Sequence, residues 1–243
     1  MGIKEKIPLD TRRKIANSIN DIIWNFSVKS YSQEGEDLVL QRIFNDKQNG
    51  FYVDIGAFHP KRFSNTYFFY KKGWVGINID AMPGSMKKFN SIRKKDINIE
   101  LPVSNVKEIL TYYIFNEPAL NTFSKNLAES RNGKYGYRIL EKRKIETIKL
   151  SEILDKYLPN NINDIDFMSI DVETLDYEVL LSNDWEKYSP KIILIEDLKF
   201  DINNLNNSDI NKLLVQNNYT FFAKTVNTIF YKRNDFLLRQ DDF

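Results

Sequence analysis

Cysteine is absent from this 243-residue chain. That excludes a disulfide framework, a thiolate nucleophile and any zinc site built on sulfur, and it fits a reducing compartment. Histidine occurs once, as His59. Neither sign of charge is in large excess: 35 Lys and Arg stand against 33 Asp and Glu, a net +2. A nucleic-acid partner would call for a strong basic surplus, so none is expected. The longest apolar runs, such as 192–195, fall far short of a bilayer. The N-terminal stretch has no apolar core of signal-peptide length. The expectation is a soluble, cytoplasmic protein with no membrane span.

What is present is ordinary for a globular chain: 42% hydrophobic and 28% charged residues, with enough length to bury a core. Residues 1–30 read as a helical segment ahead of the main domain. Ile15, Ile19, Ile22 and Phe26 recur at helical spacing behind Arg12, Arg13 and Lys14; a packing face is the main reading and a homodimer contact the alternative. From Gly50 onward short apolar runs alternate with helix-compatible segments. Strands are expected at 51–55, 74–79, 97–103, 110–115, 145–148, 167–172 and 191–196. Helices are expected at 64–72, after Pro83, at 150–158, near 177–181 and at 209–216. The segments 219–223 and 228–231 form a terminal hairpin. Residues 116–144, polar and poor in strand signal, read as a loop with one helix. This insertion is long enough to be functional and is expected to act as a mobile lid that shapes acceptor choice.

Continuous apolar strands alternating with helices define an α/β fold with a mostly parallel sheet covered on both faces. Ligands of such sheets bind outside the carboxyl ends of the strands. Asp54, Asp80, Asp171 and Glu196 all stand at or just after those ends. The stretch Val53-Asp54-Ile55-Gly56-Ala57 is similar to the first motif of S-adenosylmethionine methyltransferases. Its glycine lets backbone approach the methionine end of the cofactor, and a nearby carboxylate accepts hydrogen bonds from the ammonium group. Asp80, one strand later, is placed to hold ribose hydroxyls. The G-x-G-x-x-G of dinucleotide enzymes is incomplete, because His59 occupies the place of the third glycine. That argues for S-adenosylmethionine over a dinucleotide.

More motifs follow in order: Tyr31-Ser32-Gln33-Glu34-Gly35-Glu36-Asp37, Asp54-Ile55-Gly56-Ala57-Phe58-His59-Pro60, Ser64-Asn65-Thr66, Gly73-Trp74-Val75-Gly76-Ile77-Asn78-Ile79-Asp80 and Ser169-Ile170-Asp171-Val172-Glu173. Leu180 to Trp185 and Asn227 to Phe230 continue the likeness. Together they resemble the FkbM methyltransferase family from Tyr31 to about Tyr231, most of the chain, within a methyltransferase domain expected at 31–243. The resemblance implies a Rossmann-like class I methyltransferase fold, with a seven-stranded sheet and a C-terminal antiparallel hairpin. It also implies S-adenosylmethionine-dependent O-methylation, often in polysaccharide, lipopolysaccharide or secondary-metabolite pathways; the acceptor varies widely across the family, and a small, carbohydrate-like one is the expectation here. Three departures stand out. Thr174 follows Glu173 where the family has glycine, and a β-branched residue does not easily take a positive φ. Asp80 replaces the commoner Glu. Asn121 replaces a small serine before Thr122-Phe123-Ser124.

The cofactor-binding candidates are Gln33, Asp54, Gly56, Ala57, Asp80, Ser104 and Asp171. The catalytic candidates are Asp171, Glu173 and His59, expected at one cleft. Two nearby carboxylates can share a proton and so supply a base. They can equally bind Mg²⁺, with His59, Glu196 and Asp197 as further ligand candidates. Arg131, Lys134 and Arg138 form a solvated face or meet an anionic acceptor such as a nucleotide-sugar. Two other functions compete: another nucleotide-dependent Rossmann-like enzyme, such as a dehydrogenase, and a non-catalytic module that binds S-adenosylmethionine or a partner protein.

Overall fold

The computed structural model describes residues 8–19, 21, 23, 27–45 and 47–238. The chain divides into two units, residues 1–30 and 31–243. In the first, helix α1 covers Leu9–Ile19. Ile15 and Ile19 of the expected apolar stripe are exposed; Ile22 and Phe26 lie outside the described residues. Among the described residues no helix is long and apolar enough to cross a membrane.

The second unit opens with helix α2 (Glu36–Ile43), which sequence reasoning did not anticipate. Its amphipathic run is short, and only Leu40 and Ile43 commit their apolar side chains fully to the core. Then come β1 (Phe51–Ile55), α3 (Tyr67–Lys72), β2 (Val75–Asp80), α4 (Met86–Ile92) and β3 (Ile97–Glu100). After an inserted segment the chain continues with α6 (Leu150–Tyr157), β6 (Phe167–Ile170), α7 (Asp176–Leu181), β7 (Ile192–Glu196), α8 (Asp209–Gln216), β8 (Tyr219–Lys224) and β9 (Thr228–Arg233). Seven strands form one sheet in the order β3-β2-β1-β6-β7-β9-β8. The first five of these are parallel, while β9 runs antiparallel to β7 and β8 antiparallel to β9. This is the expected mostly parallel α/β sheet with its terminal hairpin.

The parallel strands are apolar on both faces because both faces are covered. Val53, Ile55, Ile77, Ile79 and Ile193 pack in one cluster with Ile153, Leu154, Val179 and Leu214 of α6, α7 and α8. Tyr52, Phe167, Ile192 and Leu194 pack in the other with Leu40, Phe69 and Trp74. Each such side chain contributes on the order of 1.5–3 kcal/mol by leaving water.

The inserted segment departs from expectation. It contains β4 (Ile109–Phe115), α5 (Lys125–Arg131) and β5 (Ile139–Glu146). β4 and β5 pair with each other, antiparallel, as a separate two-stranded ribbon. Residues 139–144, expected to be loop, are therefore strand. The pattern hid it because Leu140 through Lys144 are all exposed, so the inside–outside alternation that marks a half-buried strand is missing. Smaller corrections concern boundaries. β3 stops at Glu100, and Val103 makes only an isolated bridge to Ile148. The helix after Pro83 begins at Met86.

Candidate functional site

Strands β1, β2 and β6 end level: Ile55 pairs with Ile79 on one side and with Ile170 on the other. Gly56, Asp80 and Asp171, at or just past those ends, therefore converge where the strand order reverses around β1, the switch point at which such sheets bind ligands. Asp171 N–H donates to the Ile55 carbonyl at 3.0 Å, pressing the two chain segments together. A β-carbon on Gly56 would lie 1.7 Å from the Asp171 carbonyl oxygen, and Gly56 has φ +80°. Glycine is required there by the protein's own crossing backbone, before any ligand is considered.

A cavity of about 270 Å³ opens at this edge. Its polar wall includes Gln33, Gly56, Asp80, Asp171, Glu173 and Glu196, and its apolar wall includes Phe58, Phe63, Met82, Val103, Tyr112 and Phe123. Asp80 is anchored by two backbone donors, Met82 N–H to Oδ1 and Phe58 N–H to Oδ2, each at 2.8 Å. Each oxygen keeps a lone pair for a further donor. Burial raises the Asp80 pKa against the pull of those two N–H groups.

The turn after β6 is held in an uncommon shape. Glu173 has φ +53° and Thr174 φ +95°. Thr174 thus holds a positive φ that a β-branched residue does not easily adopt, and the reason lies in its surroundings. Asp176 accepts Val172 N–H at 3.0 Å and Thr174 N–H at 3.2 Å. The Thr122 hydroxyl donates to the Glu173 carbonyl at 3.0 Å. Arg131 of α5 donates to Glu173 Oε2 at 2.9 Å. Four contacts over-determine a conformation that local preference would not choose. Arg131 is therefore committed to this turn, whereas Lys134 and Arg138 are exposed.

Asp171, Glu173 and Glu196 face the same space and repel one another. Asp171 is exposed to the open cavity, yet the protein packed around it pushes its carboxyl well above the ordinary range, and the charges of Glu196, Asp176 and Glu173 push it further. Burial and the Glu173 charge push Glu196 up to about 7. Burial raises Glu173 as well, opposed by Arg131.

Other sequence candidates lie elsewhere. Asp54 is absent from the cavity wall; its Oδ2 accepts the Thr66 hydroxyl at 2.7 Å on the far side of the strand. Strand alternation places it on the same face as Tyr52. Burial raises its pKa to about 6. Ala57 packs with Met86 and Phe89. Ser104 is buried behind the wall, its N–H bonded to the Ile148 carbonyl. His59 does not join Asp171 and Glu173 along the wall; its Nδ1 accepts the Lys61 and Arg62 N–H groups, both at 3.1 Å. Burial and the nearby Lys88 lower its pKa. Asp197 accepts Lys199 N–H at 3.0 Å and the Ser208 hydroxyl at 3.2 Å. Among the described residues, no group of three or more His, Asp or Glu side chains is arranged to hold a metal ion. The Mg²⁺ expectation thus finds no donor set.

Sequence reasoning missed a buried ionic network on the Asp54 face. Arg93, fully buried, binds Asp96 Oδ2 at 2.8 Å, Thr66 Oγ1 at 2.7 Å, the Tyr52 hydroxyl at 3.1 Å and the Pro60 carbonyl at 3.1 Å. Asp96 also accepts Gly76 N–H at 3.1 Å and the Tyr52 hydroxyl at 2.6 Å. No motif signals this network, because Arg93 and Asp96 look like two charges in a polar loop until tertiary structure closes over them. It also missed Tyr112, which lies in the expected fourth strand and yet forms part of the cavity wall.

Residues 54–221 match the family model described as the methyltransferase FkbM domain. No curated protein matches the chain. Among solved structures it is similar to the crystal structure of a "putative RNA methyltransferase" from Pyrococcus horikoshii. The identity is 9% and the TM-score 0.44, over 93% of this chain and 99% of that one. A likeness at that level says nothing of ligand or acceptor.

Proposed function

Because the chain belongs to the FkbM methyltransferase family, we propose that it transfers the methyl group of S-adenosylmethionine to a hydroxyl oxygen of a small, polar, sugar-like acceptor. The observation that carries this reading is Asp171: a carboxylate with a raised pKa, facing the cavity at the junction of β1 and β6.

The residues present fit the cofactor. Asp80 keeps acceptor capacity for the ribose hydroxyls. The Gly56 backbone lies open to the cavity, and Phe58, Met82 and Val103 offer apolar surface for adenine. When bound, S-adenosylmethionine supplies an electrophilic methyl carbon on a sulfonium centre. An acceptor oxygen held in line with that carbon would take the methyl group, and sulfur would keep the bonding pair. The hydroxyl proton passes to an Asp171 carboxylate oxygen. Glu173, tied to Arg131, keeps the turn that presents Asp171 in place. Tyr112 and Phe123 of the inserted segment line the cavity, and part of the rate would come from holding oxygen and methyl carbon together.

The test is S-adenosylhomocysteine release from the full chain incubated with S-adenosylmethionine and a panel of hydroxylated acceptors. Release that depends on acceptor supports the reading. Tight S-adenosylmethionine binding without release for any acceptor favours a non-catalytic module. Asp80→Ala should weaken cofactor binding by about 1–3 kcal/mol, the scale of a lost charge-assisted hydrogen bond.

A further inference from the structure

The charges around the cavity do not balance. Asp80, Asp171, Glu173 and Glu196 face it, and Arg131 answers them through its ion pair with Glu173. With Asp80 anchored for the ribose hydroxyls and Asp171 kept as the base, Glu196 is the cavity carboxylate left without a role or, among the described residues, a countercharge of its own. A small recess beside the cavity is also lined by Asp171 and Glu196, together with Glu34, Glu36 and Asn65. Glu34 and Glu36 are already engaged: Glu34 Oε2 accepts the Thr225 hydroxyl and Asn227 N–H, both at 2.8 Å, and Glu36 Oε1 accepts the Thr228 hydroxyl at 3.0 Å. Asp171 and Glu196 accept no hydrogen bond from the described residues. Asn65 gives its Nδ2 to Ser169 Oγ at 3.0 Å, which leaves a buried Oδ1 without a donor. This end of the site is rich in acceptors that lack a partner.

The same wall carries one donor in a like condition. Asn121, only 6% exposed, is part of the cavity wall. Its Oδ1 accepts Phe115 N–H at 2.8 Å, which fixes the amide and turns Nδ2 the other way. Nδ2 is buried beside the Tyr112 hydroxyl, close enough to favour its ionised form, but finds no well-formed hydrogen-bond partner among the described residues. A buried unpaired donor of this kind costs stability unless a ligand oxygen meets it.

Resting on the methyltransferase reading above, we propose that the acceptor end of the cavity selects a polyol carrying a protonated amine, with Glu196 holding the ammonium group and Asn121 Nδ2 donating to an acceptor oxygen. An ammonium brings three donors to carboxylates that have none. A phosphate would bring more negative charge to a wall whose nearest guanidinium is already paired. This reverses the anionic acceptor that the basic loop residues suggested. Glu196 and Asn121 are positioning residues for the acceptor, and neither takes the proton.

The test uses the full chain saturated with S-adenosylhomocysteine, with ligand-observed NMR titrations of glucosamine, methyl glucoside and glucose 6-phosphate. Glucosamine should bind roughly tenfold more tightly than methyl glucoside, the scale of a charge-assisted contact, and glucose 6-phosphate should not saturate. Glu196→Gln should lower glucosamine affinity about tenfold and leave methyl glucoside unchanged, whereas Asn121→Leu should weaken both. Equal affinity for the probes, preference for the phosphate, or no saturable binding of either sugar overturns the proposal. Failure of S-adenosylhomocysteine to bind by calorimetry overturns instead the methyltransferase reading beneath it.

Discussion

Gly56 and Asp171 meet where no side chain fits: a β-carbon on Gly56 would stand 1.7 Å from the Asp171 carbonyl oxygen. The obstacle is backbone hydrogen-bonded into the sheet edge, so it cannot swing aside. Gly56→Ala should therefore destabilise the fold by about 3 kcal/mol, combining overpacking with a positive φ. The shift in urea midpoint reads this directly. A variant that unfolds like the parent would mean that the β1 and β6 ends separate easily.

Thr174 has φ +95°, which suits glycine far better than a β-branched residue. Thr174→Gly should raise stability by roughly 0.5–1 kcal/mol, as relief of strain exceeds the extra chain entropy of glycine. Thermal unfolding checks it, and a lower melting temperature would assign the threonine side chain a packing role. Turnover should survive, because Asp176, Thr122 and Arg131 still hold the turn.

Asp171→Asn keeps the side-chain shape and removes the base. Turnover should fall on the order of a hundredfold while S-adenosylmethionine affinity persists. In the parent, activity should rise with pH along a one-proton limb centred above the ordinary carboxylate range, since burial and the Glu196 charge raise the Asp171 pKa. That limb should vanish in the variant. Near-normal turnover in Asp171→Asn would remove Asp171 from the chemistry.

Glu196, raised to about 7, is a carboxylate whose folded-state pKa exceeds its unfolded value. The stability linked to such a group is fully present below the unfolded pKa, near 4.3. It is lost as pH rises through the folded pKa. Unfolding free energy should thus decline between about pH 4 and pH 7, and Glu196→Gln should remove part of that decline, roughly 1–2 kcal/mol after solvent screening. Denaturant titrations at pH 5 and pH 8 measure it. An equal gain at both pH values would point to packing instead of charge.

Arg93 is fully buried with Asp96, Thr66 and Tyr52 around its guanidinium. Arg93→Met strands the Asp96 charge and should cost about 3–5 kcal/mol. Adding Asp96→Asn should recover part of that loss. A double variant as unstable as the single would show that packing, not charge pairing, dominates there.

Much of the site could be read before folding was considered. Gly56, Asp80 and Asp171 sit next to apolar runs whose strand character follows from local composition. Their convergence needs only the rule that parallel strands present their carboxyl ends together. Asp54 stands one residue before the end of the same strand, and its side chain lies off the cavity wall. Alternation turns it to the opposite face, and which face receives the ligand is decided by what packs on each side. His59 also lies off the cavity wall: the chain after Gly56 turns so that the imidazole accepts its own loop's N–H groups.

The sequence alone determined the sheet, because runs such as Phe51–Ile55 and Ile192–Glu196 are apolar enough to require cover on both faces. It also determined where the strands stop, because Asp and Gly follow those runs. Tertiary structure decided the rest: the β4–β5 ribbon, whose exposed strand has no periodic signature; the Arg93 network, whose members are scattered along the chain; and the charge at the acceptor end. Local pattern records what each residue prefers for itself. A carboxylate's pKa, an amide left without a partner and a threonine held at positive φ depend on which distant groups the fold brings within a few ångströms.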